Sequence, residues 1–143
     1  TAKFEVRTPE IHASPVLEPG VNVYDQDVVE IFLSVNGAVG RKGSYFEFEL
    51  SPYDNTLQVR INVANGRKKF VEGIDYGMVH KATIRPEGDG WDGEITIPLA
   101  ALGWQGRSSK IVGNAFAGKS IFGHKAWFYN LYIHLRRCPF CSS

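Results

Sequence analysis

The sequence predicts an all-β protein, an antiparallel β-sandwich of immunoglobulin or jelly-roll type with one short helical turn. Three observations carry this expectation. Apolar residues recur with a period of two, clusters of Gly, Pro, Asn and Asp interrupt these runs every ten or so residues, and helical spacing is nearly absent. Strands are expected at about Ala2 to Arg7, Asp27 to Ser34, Ser44 to Ser51, Thr56 to Val63, Val79 to Pro86, Trp91 to Ile97, Ile111 to Gly118 and Lys125 to Leu135. The helical turn falls at Pro98-Leu99-Ala100-Ala101-Leu102-Gly103, where proline suits the first position and glycine the end.

Each element can be given faces. In Tyr45-Phe46-Glu47-Phe48-Glu49-Leu50, the residues Phe46, Phe48 and Leu50 share one side, expected to be core, and Tyr45, Glu47 and Glu49 share the solvent side. The same split in Thr56 to Val63 turns Leu57, Val59, Ile61 and Val63 inward and Gln58, Arg60 and Asn62 outward. In Asp27 to Leu33, Val29, Ile31 and Leu33 make an apolar face, while Glu30 stands between Val28 and Phe32 on the other. A carboxylate between apolar neighbours loses hydration, so it is paired, hydrogen-bonded or reserved for a ligand. The segments 36–43 and Asn65-Gly66-Arg67-Lys68-Lys69 are expected as hairpin connections, since Gly and Asn accept positive φ.

At 143 residues the chain has the length of one domain, 1–143, with 136–143 as a disordered tail. Its 16 Lys and Arg against 15 Asp and Glu lack the basic footprint that nucleic acid or an anionic membrane demands. No run of eighteen apolar residues exists to cross a membrane as a helix. Cys138 and Cys141 form a Cys-Pro-Phe-Cys without the strand-to-helix context of a redox motif or the further ligands of a zinc site. No nucleophile elbow, His-Glu-x-x-His or phosphate loop is present, so an enzyme is not expected. Glu47 and Glu49 could suggest glycoside hydrolysis, but alternate carboxylates on a strand's solvent face are ordinary. Met78 and His80 would point the same way from one strand and so could not flank a haem. Trp91 and Trp104 are expected to cover the end of the core.

Three stretches carry a resemblance. Tyr24-Asp25-Gln26-Asp27-Val28-Val29-Glu30-Ile31-Phe32, Ser44-Tyr45-Phe46-Glu47-Phe48-Glu49 and Gly90-Trp91-Asp92-Gly93-Glu94-Ile95-Thr96-Ile97-Pro98, followed by Val112-Gly113-Asn114, resemble in order and spacing the carbohydrate-binding modules of family 9, a DOMON-like β-sandwich. The resemblance covers the chain from about Val23 to Asn114. It implies a non-catalytic module, extracellular or periplasmic, that clamps a terminal sugar between two aromatic rings while carboxylates bond its hydroxyls. Carried over residue by residue, Tyr24 is the first ring and Glu30 the acceptor. The family's closing motif has no secure match, and Trp127 is taken as the second ring, against a reading in which Trp127, Tyr129, Leu131 and Ile133 form a core strand face. The family is often calcium-stabilised, and Asp25, Asp27, Asp54 and Asp75 are loop residues that could offer oxygen ligands. The alternative function is a structural or protein-interaction sandwich that has lost its sugar.

Overall fold

The computed structural model describes residues 1–35, 43–106, 111–121 and 124–128. Among them nine strands form two antiparallel sheets: β1 (Ala2–Arg7), β2 (Val28–Ser34), β3 (Tyr45–Leu50), β4 (Thr56–Ala64), β5 (Arg67–Val71), β6 (Val79–Ile84), β7 (Gly90–Thr96), β8 (Val112–Ile121) and β9 (His124–Phe128). The smaller sheet runs β1-β7-β6 and the larger β5-β4-β3-β2-β8-β9. No helix of the described chain is long and apolar enough to cross a membrane.

The core lies between the sheets. Phe4 of β1 with Trp91 and Ile95 of β7 pack against Val29 and Ile31 of β2, Phe46, Phe48 and Leu50 of β3 and Ala117 of β8. Tyr76 and Met78 close one side, with the Tyr76 ring edge-on to Phe46 at 5.2 Å between centroids. Gly90 opens β7 at φ 146°, and a Cβ there would stand 1.9 Å from the Val6 carbonyl oxygen, so only glycine lets β1 and β7 close at Arg7. The helical turn forms as 3₁₀ over Leu99–Leu102, with Pro98 before it and Gly103 left-handed after it.

Two expectations need correction. Arg67, Lys68 and Lys69 are not loop but the start of β5; only Asn65 and Gly66, at φ 52° and 74°, make the turn. Two successive positive φ values give the tight hairpin geometry that matches strand twist, and Ala64 pairs directly with Arg67. The faces of β4 are also reversed. Val59 lies opposite Glu47 and Ile61 opposite Tyr45, while Gln58 and Arg60 lie opposite the core residues Phe48 and Phe46. Directly paired residues share a face, so the apolar side of β4 belongs to the side of the large sheet turned away from the small one. Val59 and Ile61 are nevertheless buried there. On the core side Gln58 is satisfied by the Tyr76 backbone N–H at 3.0 Å and by its own donation to Asp75 at 3.4 Å. The Arg60 guanidinium lies 6.0 Å from the Phe46 ring centroid.

On its outer side the small sheet is a ladder of charge, with Lys3 paired to Glu94 at 2.8 Å and Arg85 to Asp92 at 2.5 Å. Segment 36–42, the expected tail 136–143, Cys138 and Cys141 lie outside the described residues.

Candidate functional site

The outward face of the large sheet gathers the residues of interest. Register places Phe116 opposite Glu30, Glu30 opposite Glu49, Phe32 opposite Glu47 and Tyr45 opposite Ile61. A diagonal of rings therefore crosses three strands, from Phe116 on β8 through Phe32 on β2 to Tyr45 on β3. Centroids are 5.6 Å apart for the edge-on first pair and 6.2 Å for the tilted second. All three rings are half-buried.

Glu30, Glu47 and Glu49 line one side of that diagonal, with carboxylate oxygens within 4.8 Å of one another. Sequence reasoning treated Glu47 and Glu49 as an exposed pair. Glu49 is instead 1% exposed and Glu30 3%, and only Glu47 is half-open to solvent. The reason is the β2–β3 register, which brings Glu30 beside Glu49 in the interior of a six-stranded sheet instead of at its edge. Such a cluster has the oxygen chemistry for a hard cation or for sugar hydroxyls.

Tyr24 approaches from the other side. It sits in a 3₁₀ turn, Val23–Asp25, that the strand pattern did not reveal. The Asp25 carboxylate fixes this turn by accepting from the Asn22 backbone N–H at 2.8 Å and from Asn22 Nδ2 at 3.1 Å. Val23 is buried beneath, and the turn packs on β3. Tyr24 is 39% exposed. Its phenol is pushed above the ordinary value, first by partial desolvation and then by the negative charges of Asp25, Glu49, Glu72 and Glu47. Two of those charges, Glu47 and Glu49, belong to β3, the strand on which the Val23–Asp25 turn packs. Tyr24 and Glu30 thus stand on consecutive elements, the Val23–Asp25 turn and β2, with Tyr24 open to solvent and Glu30 covered.

The whole entry segment is braced to the large sheet. Asp27 accepts from the His12 N–H at 3.0 Å and the Ser120 N–H at 2.9 Å, and donates its own N–H to the His12 carbonyl at 2.8 Å. Gln26 accepts from the Ser14 N–H at 3.1 Å, and Asn55 donates to the Ser14 carbonyl at 2.7 Å. Asp25, Asp27, Asp54 and Asp75, the loop carboxylates that could have offered calcium ligands, all accept backbone N–H bonds: Asp54 from Ala82 at 2.9 Å and Asp75 from Gly77 at 2.8 Å. The acidic cluster lies on the strands instead.

Trp127 belongs to β9, where its backbone pairs with Gly118 of β8. Trp91 is fully buried in the core, away from the outward face, and Trp104 is half-buried after the Leu99–Leu102 turn. Met78 is a core residue, and His80 bonds Asp54 at 3.0 Å. Sequence reasoning missed Phe32, Tyr45, Phe116 and the joining of three carboxylates. Their signal was the apolar company of Glu30 in Val28-Val29-Glu30-Ile31-Phe32, which becomes specific only once β3 is set beside it in register.

No family model matches the chain, and no curated protein matches it in sequence. The resemblance to family 9 modules therefore rests on the sequence motifs. Among solved structures, the chain is similar to one described as a "putative carbohydrate-binding protein" from Bacteroides uniformis ATCC 8492, with a TM-score of 0.52 and 18% identity over 73% of this chain. The match spans 51% of that protein, about half its length. At this identity the likeness establishes a shared fold, an all-β sandwich.

Proposed function

We propose that the chain is a non-catalytic carbohydrate-binding domain whose site is the outward face of the large sheet between Tyr24 and the Phe32–Tyr45 rings. The observation that carries this reading is the placing of three carboxylates beside a diagonal of aromatic rings on one sheet face. A sugar ring has C–H faces that stack on aromatic rings and hydroxyls that need fixed acceptors, and this arrangement offers both. Tyr24 stacks on the sugar, Glu47 accepts its hydroxyls, and Glu30 with Glu49 holds the floor. Trp127 is kept as the second ring of the clamp, as the family 9 resemblance implies. The carbohydrate-binding description of the Bacteroides neighbour supports the ligand class, and the family 9 resemblance of the Tyr24 to Phe32 segment supports its location.

Catalysis by the same carboxylates needs two that reach a glycosidic bond, one as acid and one as base or nucleophile. Burial leaves Glu47 alone in that position. Chromogenic glycosides are therefore expected to show no turnover, and activity lost on Glu47→Gln would overturn the non-catalytic reading.

A glycan array on the whole chain should identify bound sugars, and calorimetry then tests the site. Tyr24→Ala is expected to weaken binding about tenfold with an unchanged melting temperature, because a stacked ring is worth about 0.5 to 1.5 kcal/mol beyond its area. Trp127→Ala is expected to weaken binding too. Glu30→Gln is expected to lower both affinity and melting temperature, since its carboxylate is buried. The burial of Glu30 and Glu49 favours one other reading, a structural or protein-interaction sandwich in which they serve the fold alone. That reading gains if Glu30→Gln destabilises the protein while the wild type binds no glycan.

A further inference from the structure

Beyond the acidic side of the ring diagonal lies a cation. Lys68 of β5 is exposed, and its Nζ stands 5.6 Å from the Tyr45 ring centroid, the last ring of the diagonal. The next outward position along β5, Phe70, is 58% exposed beside it. Edge strands commonly carry lysine against edge-to-edge pairing. Arg67 and Lys69, on the opposite side of β5, supply that protection, whereas Lys68 alternates onto the face that holds the rings. None of the ion pairs of Lys3, Arg7, His12, His80 and Arg85 engages Lys68. Its contact is the face of a ring, a weak electrostatic partner at an exposed site.

The face is therefore polarised. Glu30, Glu47 and Glu49 flank the middle of the ring diagonal, and among the described residues one ammonium, that of Lys68, stands at its Tyr45 end. A densely sulfated or polyuronate chain would set its charges against the three carboxylates. A neutral chain would leave Lys68 unused. We propose that the ligand is an oligosaccharide of neutral sugars bearing a single uronate, with its neutral rings over Phe116, Phe32 and Tyr45, its hydroxyls on Glu47 and its carboxylate on Lys68. This rests on the carbohydrate-binding reading above and specifies the substrate class of the same site.

The probe is a xylo-oligosaccharide carrying one glucuronate, compared by calorimetry with the same compound after carboxyl reduction, in about 20 mM salt where screening is weak. The wild type should prefer the acid form about three- to tenfold, as expected for one charge-assisted contact at an exposed position. Lys68→Gln should remove the preference while leaving the affinity for the reduced form and the melting temperature unchanged. Phe32→Ala should weaken both forms together. Equal affinity for the two forms, or a preference that survives Lys68→Gln, overturns the uronate assignment while leaving carbohydrate binding standing. Tighter binding of a heavily sulfated glycan, lost on Lys68→Gln, assigns the cation to another anion and likewise overturns it. If neither form binds, and the glycan array is also blank, both readings fall.

Discussion

Trp91→Ala is expected to be the most damaging single truncation, lowering stability by about 3 to 5 kcal/mol as a large aromatic-to-alanine change in a core does. Trp91 has no exposed surface and stands near the start of β7, paired with Val6 of β1 on one side and Ile84 of β6 on the other. Its ring lies 3.1 Å from where a Cβ on Gly93 would be, so neighbouring atoms already crowd it and Gly93 has no side chain to fill the void. Its Nε1 donates no hydrogen bond to the described residues, so Trp91→Phe sacrifices packing without orphaning an acceptor. Denaturant unfolding should therefore rank the alanine variant well below the phenylalanine variant, with binding to any glycan retained wherever the phenylalanine variant folds. Equal loss from both would mean that the indole nitrogen matters, contrary to its surroundings.

Asp27→Ala should come next, costing about 3 kcal/mol or more, because hydrogen bonds to a charged acceptor are worth about 1.5 to 3 kcal/mol each and two backbone donors lose theirs. The carboxylate ties His12 to Ser120, residues more than a hundred positions apart, across a side chain 3% exposed. It also anchors the segment that delivers the Val23–Asp25 turn to β3. The expected signature is double: a lower melting temperature, and faster amide exchange at Tyr24 and Asp25 than at Phe48. Asp27→Asn, which keeps one acceptor oxygen, should recover part of the loss. A variant as stable as the wild type would show that the segment is held by its other contacts, Ser14 to Gln26 and Asn55 to Ser14.

How legible the fold was depends on which property each element needed. Strand positions follow from alternation, so β1, β2, β3, β4, β6 and β7 fall where period-two patterning puts them, and Pro98 with Gly103 marks the 3₁₀ turn. The strand β5 escaped because Arg67-Lys68-Lys69 is polar on both faces, as an edge strand can be, and carries no apolar alternation to read. Alternation also leaves open which side of a strand meets which side of its partner. A shift of one residue exchanges the faces of β4, and the hairpin register, not the pattern, decides that Val59 joins Glu47.

The candidate site was legible in part for the same reason. Glu30 stood out because Val28 and Phe32 flank it, and Tyr24 because it precedes that strand. The company they keep is non-local: Glu49 and Phe116 reach Glu30 only through strand pairing across 19 and 86 positions of sequence. Lys68 is further removed still, since it touches Tyr45 from two strands away. Residues far apart in the chain and joined only by register leave no local trace in it.

The most direct measurement of whether the outward face binds sugar is a titration of the isotopically labelled protein, followed by amide chemical shifts, with a glycan selected on the array. Saturable shifts should concentrate at Tyr24, Glu30, Phe32, Tyr45, Glu47 and Lys68. The outer side of the small sheet, at Lys3, Lys81 and Glu94, should stay still. Shifts confined to the small sheet, or none at millimolar glycan, would contradict the placing of a carbohydrate site between Tyr24 and the Phe32–Tyr45 rings.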